Sequence, residues 1–135
     1  MTASVESLRA MLAKAGEKLE AAERELQAGF PGEAASRSYY AVFHAMAAVL
    51  ATRGLSFSSH TQTIGAFNRE FVKSGIFPSG TTRLLQSLFE DRQIADYDWV
   101  NAVDKETAGT DVNNAKELVG ACRTYVEKHL SNHAT

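Results

Sequence analysis

The segment from Ala34 to Leu50 reads AASRSYYAVFHAMAAVL, and its large apolar side chains are spread round the whole circumference of a helix. A helix that is apolar on every side is buried on every side. Pro31 and Glu33 favour a helix start just before this segment, because proline is tolerated in the first turn and a carboxylate stabilises the positive end of the helix dipole. The sequence therefore predicts a buried central helix in a bundle.

The chain before the central helix has one continuous apolar seam. From Val5 to Leu26, apolar residues recur at alternating spacings of three and four, which is typical of an amphipathic helix. Thr2 or Ser4 can cap the start of this helix, and Gly29 ends it.

Three more helices are predicted after the central one, and no segment alternates like a strand. Ser58 or Ser59 caps the third helix, Ser79 or Thr81 starts the fourth, and the last runs from about Asp104 to His129. The predicted fold is all-α, an up-and-down bundle of about five helices that forms a single domain over residues 1–135. On the last helix, Cys122 is interpreted as a core residue, while His129 and His133 fall in a predicted frayed tail and are given no role.

The composition is that of an ordinary globular protein, with 44% hydrophobic and 22% charged residues. The net charge of −2 provides no global positive field, so any nucleic-acid binding must come from a local cluster of arginines. One cysteine excludes an intramolecular disulfide and fits a reducing compartment. The sequence has no signal-peptide core and no apolar run near the ~20 residues of a membrane span, so a cytoplasmic location is predicted.

Arg37 and His44 are the first candidate site residues. They are seven positions apart, nearly two helical turns, and so project from the same face of the central helix. An arginine in apolar surroundings is costly to bury unless an anion meets it. The pair is therefore either a structural ion-pair anchor or a site for phosphate chemistry.

Four more residues share this face with the pair, and three of them are alanines. Tyr40, Ala41, Ala48 and Ala51 lie on the same stripe, and the alanines would keep the stripe shallow. Two interpretations remain open: tight packing of another helix, or close approach of a ligand.

A second group of candidates lies near the end of the fourth helix. Arg92 and Asp96 are four residues apart and can pair along the helix. Either this is local charge pairing, or Arg92 faces the central helix, Asp96 orients it and the Tyr97 ring caps the cleft. His60 starts the third helix, where it either acts in the cap or reaches the same cleft.

Several kinds of site are set aside by the sequence. The chain has no Glu-x-x-His pair for a di-iron bundle, no metal-ligand spacing, no glycine-rich phosphate loop and no nucleophile elbow. No metal and no cofactor are expected.

Taken together, five segments resemble the HEPN (higher eukaryote and prokaryote nucleotide-binding) domain family, in its small stand-alone prokaryotic branch. The resemblance covers nearly the whole chain and is carried by Ser36–Ala45, Gly54, Ser59–His60, Phe67–Gly75 and Leu88–Asp98. It implies a helical bundle that is usually dimeric and is often paired with a nucleotidyltransferase in a toxin–antitoxin-like module.

The resemblance also implies an activity, since many HEPN proteins are metal-independent ribonucleases built on an arginine and a histidine with four to six residues between them. Arg37 and His44, with six residues between them, match that spacing. His44 would act as general acid or base and Arg37 would hold the scissile phosphate. Arg92 would add a phosphate contact, and Tyr40 or Tyr97 would stack a base. The alternative is a non-catalytic HEPN module that binds a nucleotidyltransferase or a nucleotide, in which the Arg/His pair is structural.

Overall fold

Local sequence signals start the helices where the pattern predicts. In the computed structural model, which describes residues 3–133, the Ser4, Ser59 and Asp104 side chains accept hydrogen bonds from the amides of Ser7, Gln62 and Thr107, and each caps a helix. The helices are α1 (Val5–Gln27), α2 (Pro31–Ala51), α3 (His60–Phe67), α4 (Thr81–Tyr97) and α5 (Lys105–Asn132). A single π-helical turn, Asn68–Val72, continues α3. The alternative cap Thr2 lies outside the described residues.

Left-handed glycines end the first two helices. Gly29 has φ +91° and Gly54 has φ +74°, a backbone conformation that other residues rarely adopt. Gly29 lets the chain leave α1 sharply, so that α1 and α2 are joined by a short turn and pack as neighbours. Gly54 does the same at the end of α2.

The central position of α2 is confirmed. It contacts α1, α3, α4 and α5, and more than half of its residues are buried. Most of the core is one cluster around α2, in which the largest fully buried side chains are Tyr39, Phe67 and Phe71. Cys122 lies in this cluster as predicted, and burial raises the pKa of its thiol to about 12, so the thiol stays protonated. The fold is the expected all-α bundle.

The alanines of α2 belong to the helix contacts. Ala41 and Ala48 are fully buried and Ala51 is nearly so. Their small side chains let neighbouring helices approach α2 closely. The hypothesis that these alanines line a shallow open stripe is therefore wrong, and the alternative of tight packing is correct for them.

The end of α5 also differs from the prediction. The helix continues to Asn132, so His129 is helical, and the His133 ring stacks on the His129 ring at 4.2 Å between centroids. The His133 Nδ1 lies 2.8 Å from the His129 carbonyl oxygen. These contacts hold the last turn together where a frayed tail was predicted.

A buried acid joins α4 to α5. Asp111 on α5 is 1% exposed and its Oδ2 has no hydrogen-bond partner within residues 3–133. Burial, together with the neighbouring Asp91 carboxyl on α4, raises the pKa of Asp111 from 3.8 to about 8. The side chain is therefore protonated at neutral pH in the folded protein.

We expect Asp111→Asn to stabilise the protein at alkaline pH. Because folding raises the pKa of Asp111, the folded state binds more protons than the unfolded state between pH 4 and 8, and stability falls as pH rises through that window. Asparagine still donates a hydrogen bond but never ionises. In urea unfolding at pH 9, the free energy of unfolding should rise by roughly 1–3 kcal/mol, and at pH 5 it should change much less. The exposed Glu127→Gln on the same helix is the matched control, and an equal gain at both pH values would contradict the assignment.

Candidate active site

Arg37 and His44 face the same open cleft, which we name the α2 cleft. It has a volume of about 420 Å³ and lies where α1 and α3 flank the outer face of α2. Both side chains are partly buried, and they line the cleft together. The lining residues are Lys18, Glu33, Ser36, Arg37, Tyr40, Phe43, His44 and His60.

Arg37 has no counter-charge within the described part of the chain. No carboxylate of residues 3–133 lies within ion-pairing distance of its guanidinium, not even Glu33 in the same cleft. Its buried Nε has no hydrogen-bond partner there. A buried donor on a charged group is costly to leave unpaired. The ion pair that a structural anchor requires is therefore not observed for Arg37.

The surroundings of His44 favour its neutral imidazole form. Burial lowers the pKa of its ring, and the positive charges of Lys18, Lys14 and His60 lower it further. A histidine with a pKa below 6.5 is largely unprotonated at neutral pH and can accept a proton.

His60 reaches the α2 cleft, while Ser59 caps α3. The His60 ring stacks on Phe43 at 4.1 Å between centroids, and its Nδ1 lies 2.8 Å from the Tyr39 hydroxyl. Burial, followed by the charge of Arg92, lowers the pKa of His60. Of the two alternatives for His60, the structure shows the one in which it lines the cleft.

Arg92 stands behind the α2 cleft and holds Tyr40. Its Nε lies 3.1 Å from Asp96 Oδ2, so the predicted pairing along α4 is confirmed. The guanidinium also donates a hydrogen bond to the Tyr40 hydroxyl and lies 5.2 Å from the centroid of that ring. Asp96 also accepts a hydrogen bond from Ser36 on α2, at 3.3 Å. Arg92 therefore faces α2 but supports a lining residue, and is not itself among the lining residues.

Tyr97 lies outside the α2 cleft. Its ring is beside Arg92, 5.4 Å from the guanidinium carbon, and the residue is 65% exposed. The predicted position of Tyr97 as a cap over the cleft is wrong, because the ring lies exposed at the end of α4 and is not among the lining residues.

Four residues of the cleft were not predicted. Lys18 and Glu33 appear in the sequence only as ordinary helix-surface charges, and Phe43 as a core residue. Ser36 carries no signal beyond its place beside Arg37. Glu33, Ser36 and Phe43 stand three or four positions from Arg37 or Tyr40 on α2, so helical spacing could have placed them on the same face. Only Lys18 depends on how α1 packs against α2.

The HEPN domain family matches this chain over residues 8–125. A Thermotoga maritima protein named as a UPF0332 protein is 34% identical over 70% of this chain and 71% of its own length. Two Methanocaldococcus jannaschii proteins, each named a "putative toxin", are 31% and 30% identical; the alignments cover 75% and 91% of this chain and 69% and 86% of theirs. The chain belongs to the HEPN domain family.

Within residues 3–133, no group of three or more histidine, cysteine, aspartate or glutamate side chains is placed to hold a metal ion. None of the helices in this part of the chain is long and apolar enough to cross a membrane.

Proposed function

We propose that this HEPN protein is a metal-independent endoribonuclease that acts as the toxin of a toxin–antitoxin pair. The observation that carries the proposal is the Arg37 guanidinium, which has no anionic partner within residues 3–133 and lines the same cleft as the neutral imidazole of His44. The names of the two Methanocaldococcus jannaschii relatives support the toxin role.

The chemistry of the α2 cleft suits cleavage of RNA through its own 2′-hydroxyl. His44 would accept the 2′-hydroxyl proton as O2′ attacks phosphorus. Arg37 would bind the non-bridging oxygens with its planar fork and stabilise the charge that grows on them. The P–O5′ bond then breaks and O5′ takes up a proton, leaving a 2′,3′-cyclic phosphate and a free 5′-hydroxyl.

Local charge compensates for the acidic chain as a whole. Lys14 and Lys18 on α1 raise the positive potential at His44 although the protein carries a net charge of −2. A cationic patch of this kind attracts a phosphate backbone in a salt-dependent way. Tyr40, held by Arg92, is the base-stacking candidate beside it.

Partners form part of the same proposal. We propose that the protein is a homodimer, which would bring two Arg37/His44 pairs to one RNA, and that its antitoxin is a nucleotidyltransferase-type protein. In the alternative, a non-catalytic HEPN module, the same cleft would bind a nucleotide or that partner without cutting RNA.

Incubation of the purified protein with a single-stranded RNA in EDTA tests the activity. We expect cleavage products that end in a 2′,3′-cyclic phosphate, identified by mass spectrometry, with a rate that falls as salt rises. A DNA oligonucleotide of the same sequence is the matched control and should stay intact, because it lacks the nucleophile. RNA that is bound but uncut would favour the non-catalytic module, and equal cutting of DNA would refute the 2′-hydroxyl mechanism.

A further inference from the structure

The α2 cleft contains a second imidazole whose orientation is fixed from two sides. The His60 ring lies nearly parallel to Phe43, with 21° between the planes, so its rotation is restricted by stacking. Phe43 also contacts the His44 ring edge-on at 6.0 Å between centroids. One phenylalanine thus packs against both histidines, which reach the cleft from different helices.

The hydroxyl of Tyr39 determines which nitrogen of His60 is available. Tyr39 is 2% exposed, and burial raises its pKa to about 12, so the phenol keeps its proton. The hydroxyl forms no other hydrogen bond within residues 3–133, so it donates to Nδ1 when the ring is neutral. It can rotate and accept from Nδ1 when the ring is protonated. In both states Nε2 is the nitrogen left for a ligand.

Two histidines in one cleft divide the proton transfers of RNA cleavage. The attacking 2′-hydroxyl must lose a proton and the departing O5′ must gain one, at opposite ends of the reacting phosphate. The charge of His60 is among those that lower the pKa of His44, so a proton on His60 disfavours a proton on His44. When His60 carries a proton and His44 does not, the cleft holds one acid and one base.

We propose that His60 is a catalytic residue that protonates the departing O5′ through Nε2, with Tyr39 as the positioning residue at its Nδ1. This assignment rests on the proposed function. In the step, His44 takes the 2′-hydroxyl proton, O2′ bonds to phosphorus, the P–O5′ bond breaks, and O5′ takes the His60 proton. Proton and charge balance over the two imidazoles, and no other reactant is needed.

Substrates with different leaving groups test the assignment. We expect His60→Gln to slow cleavage of the dinucleotide UpA by roughly 10²–10⁴-fold. It should slow cleavage of uridine 3′-(4-nitrophenyl phosphate) far less, because nitrophenolate leaves without a proton. His44→Gln should slow both substrates. His133→Gln replaces a histidine at the end of α5 and is the matched control. It should leave the cleavage rates of both substrates unchanged.

The pH profile gives a second measurement that a purely structural role would not change. The wild-type rate on UpA should rise and then fall with pH, and His60→Gln should lose the alkaline fall. Tyr39→Phe keeps the ring packing and should shift that limb, with unchanged circular dichroism. Equal slowing of both substrates by His60→Gln, or no slowing of either, would overturn the assignment while the proposed function stands. A wild-type protein inactive on both substrates would overturn the two together.

Discussion

Replacing Arg37 by alanine is expected to slow RNA cleavage by roughly 10²–10³-fold, and replacing His44 by alanine by roughly 10²–10⁴-fold. Both residues line the α2 cleft, and no carboxylate within the described residues neutralises Arg37. Neither substitution removes an ion pair, so we expect the fold to survive. Single-turnover cleavage of a labelled RNA, with thermal unfolding measured on the same samples, tests this directly.

Two further variants test whether the effect depends on the guanidinium of Arg37 and on its place in the cleft. Arg37→Lys keeps the charge but loses the planar fork of the guanidinium. Compared with Arg37→Ala, it should restore RNA binding more than RNA cleavage. Arg9→Ala removes an exposed arginine of α1 and should leave the rate unchanged. If both cleft variants unfold at the temperature of the assay, the pair is structural. If both fold and cut RNA at the wild-type rate, the α2 cleft is not the active site.

Arg92→Ala is expected to lower the free energy of unfolding by about 2–3 kcal/mol. The Arg92 side chain is only 11% exposed and is paired with Asp96, which is 28% exposed. Its loss leaves Asp96 with a weaker partner. It also removes the hydrogen bond to the Tyr40 hydroxyl and the cation–π contacts with the Tyr39 and Tyr40 rings. Urea unfolding at neutral pH measures the change.

The chain offers a matched control with the same spacing. Arg24 and Glu20 also pair at four residues along a helix, at 3.9 Å, but their side chains are 71% and 76% exposed. Arg24→Ala should cost no more than about 0.5 kcal/mol, because water screens the pair. Equal losses for the two variants would mean that Arg92 contributes only a surface ion pair and does not hold Tyr40 in place.

The two results separate the roles of the arginines. Arg37 and Arg92 are both partly buried in the same region, yet Arg37 has no anionic partner in the described residues. Arg92 contacts Asp96, Gln93 and the rings of Tyr39, Tyr40 and Tyr97. A large effect of Arg37→Ala on rate and of Arg92→Ala on stability would establish that division. It is also why Arg92 is not proposed to bind phosphate directly.

The helices and the burial of α2 followed from side-chain type and spacing. Caps such as Ser59 and Asp104 act on amides within their own first turn, and the apolar circumference of α2 reports burial whichever helix covers it. The seven-residue spacing placed Arg37 and His44 on one face for the same reason, since it depends on the geometry of a single helix.

The residues that line the α2 cleft from outside α2 depend on how the other helices pack against it. The rotation of α1 about its axis brings Lys18 to His44, and the start of α3 brings His60 onto Phe43. The same packing buries Ala41 and Ala48 and turns Tyr97 outward. Spacing within one helix says which side chains share a face, but the partners of that face depend on how distant segments meet. The Arg37/His44 pair could therefore be located from the sequence, whereas only the folded structure decided between the two alternatives for His60 and left Arg37 without a counter-charge among residues 3–133.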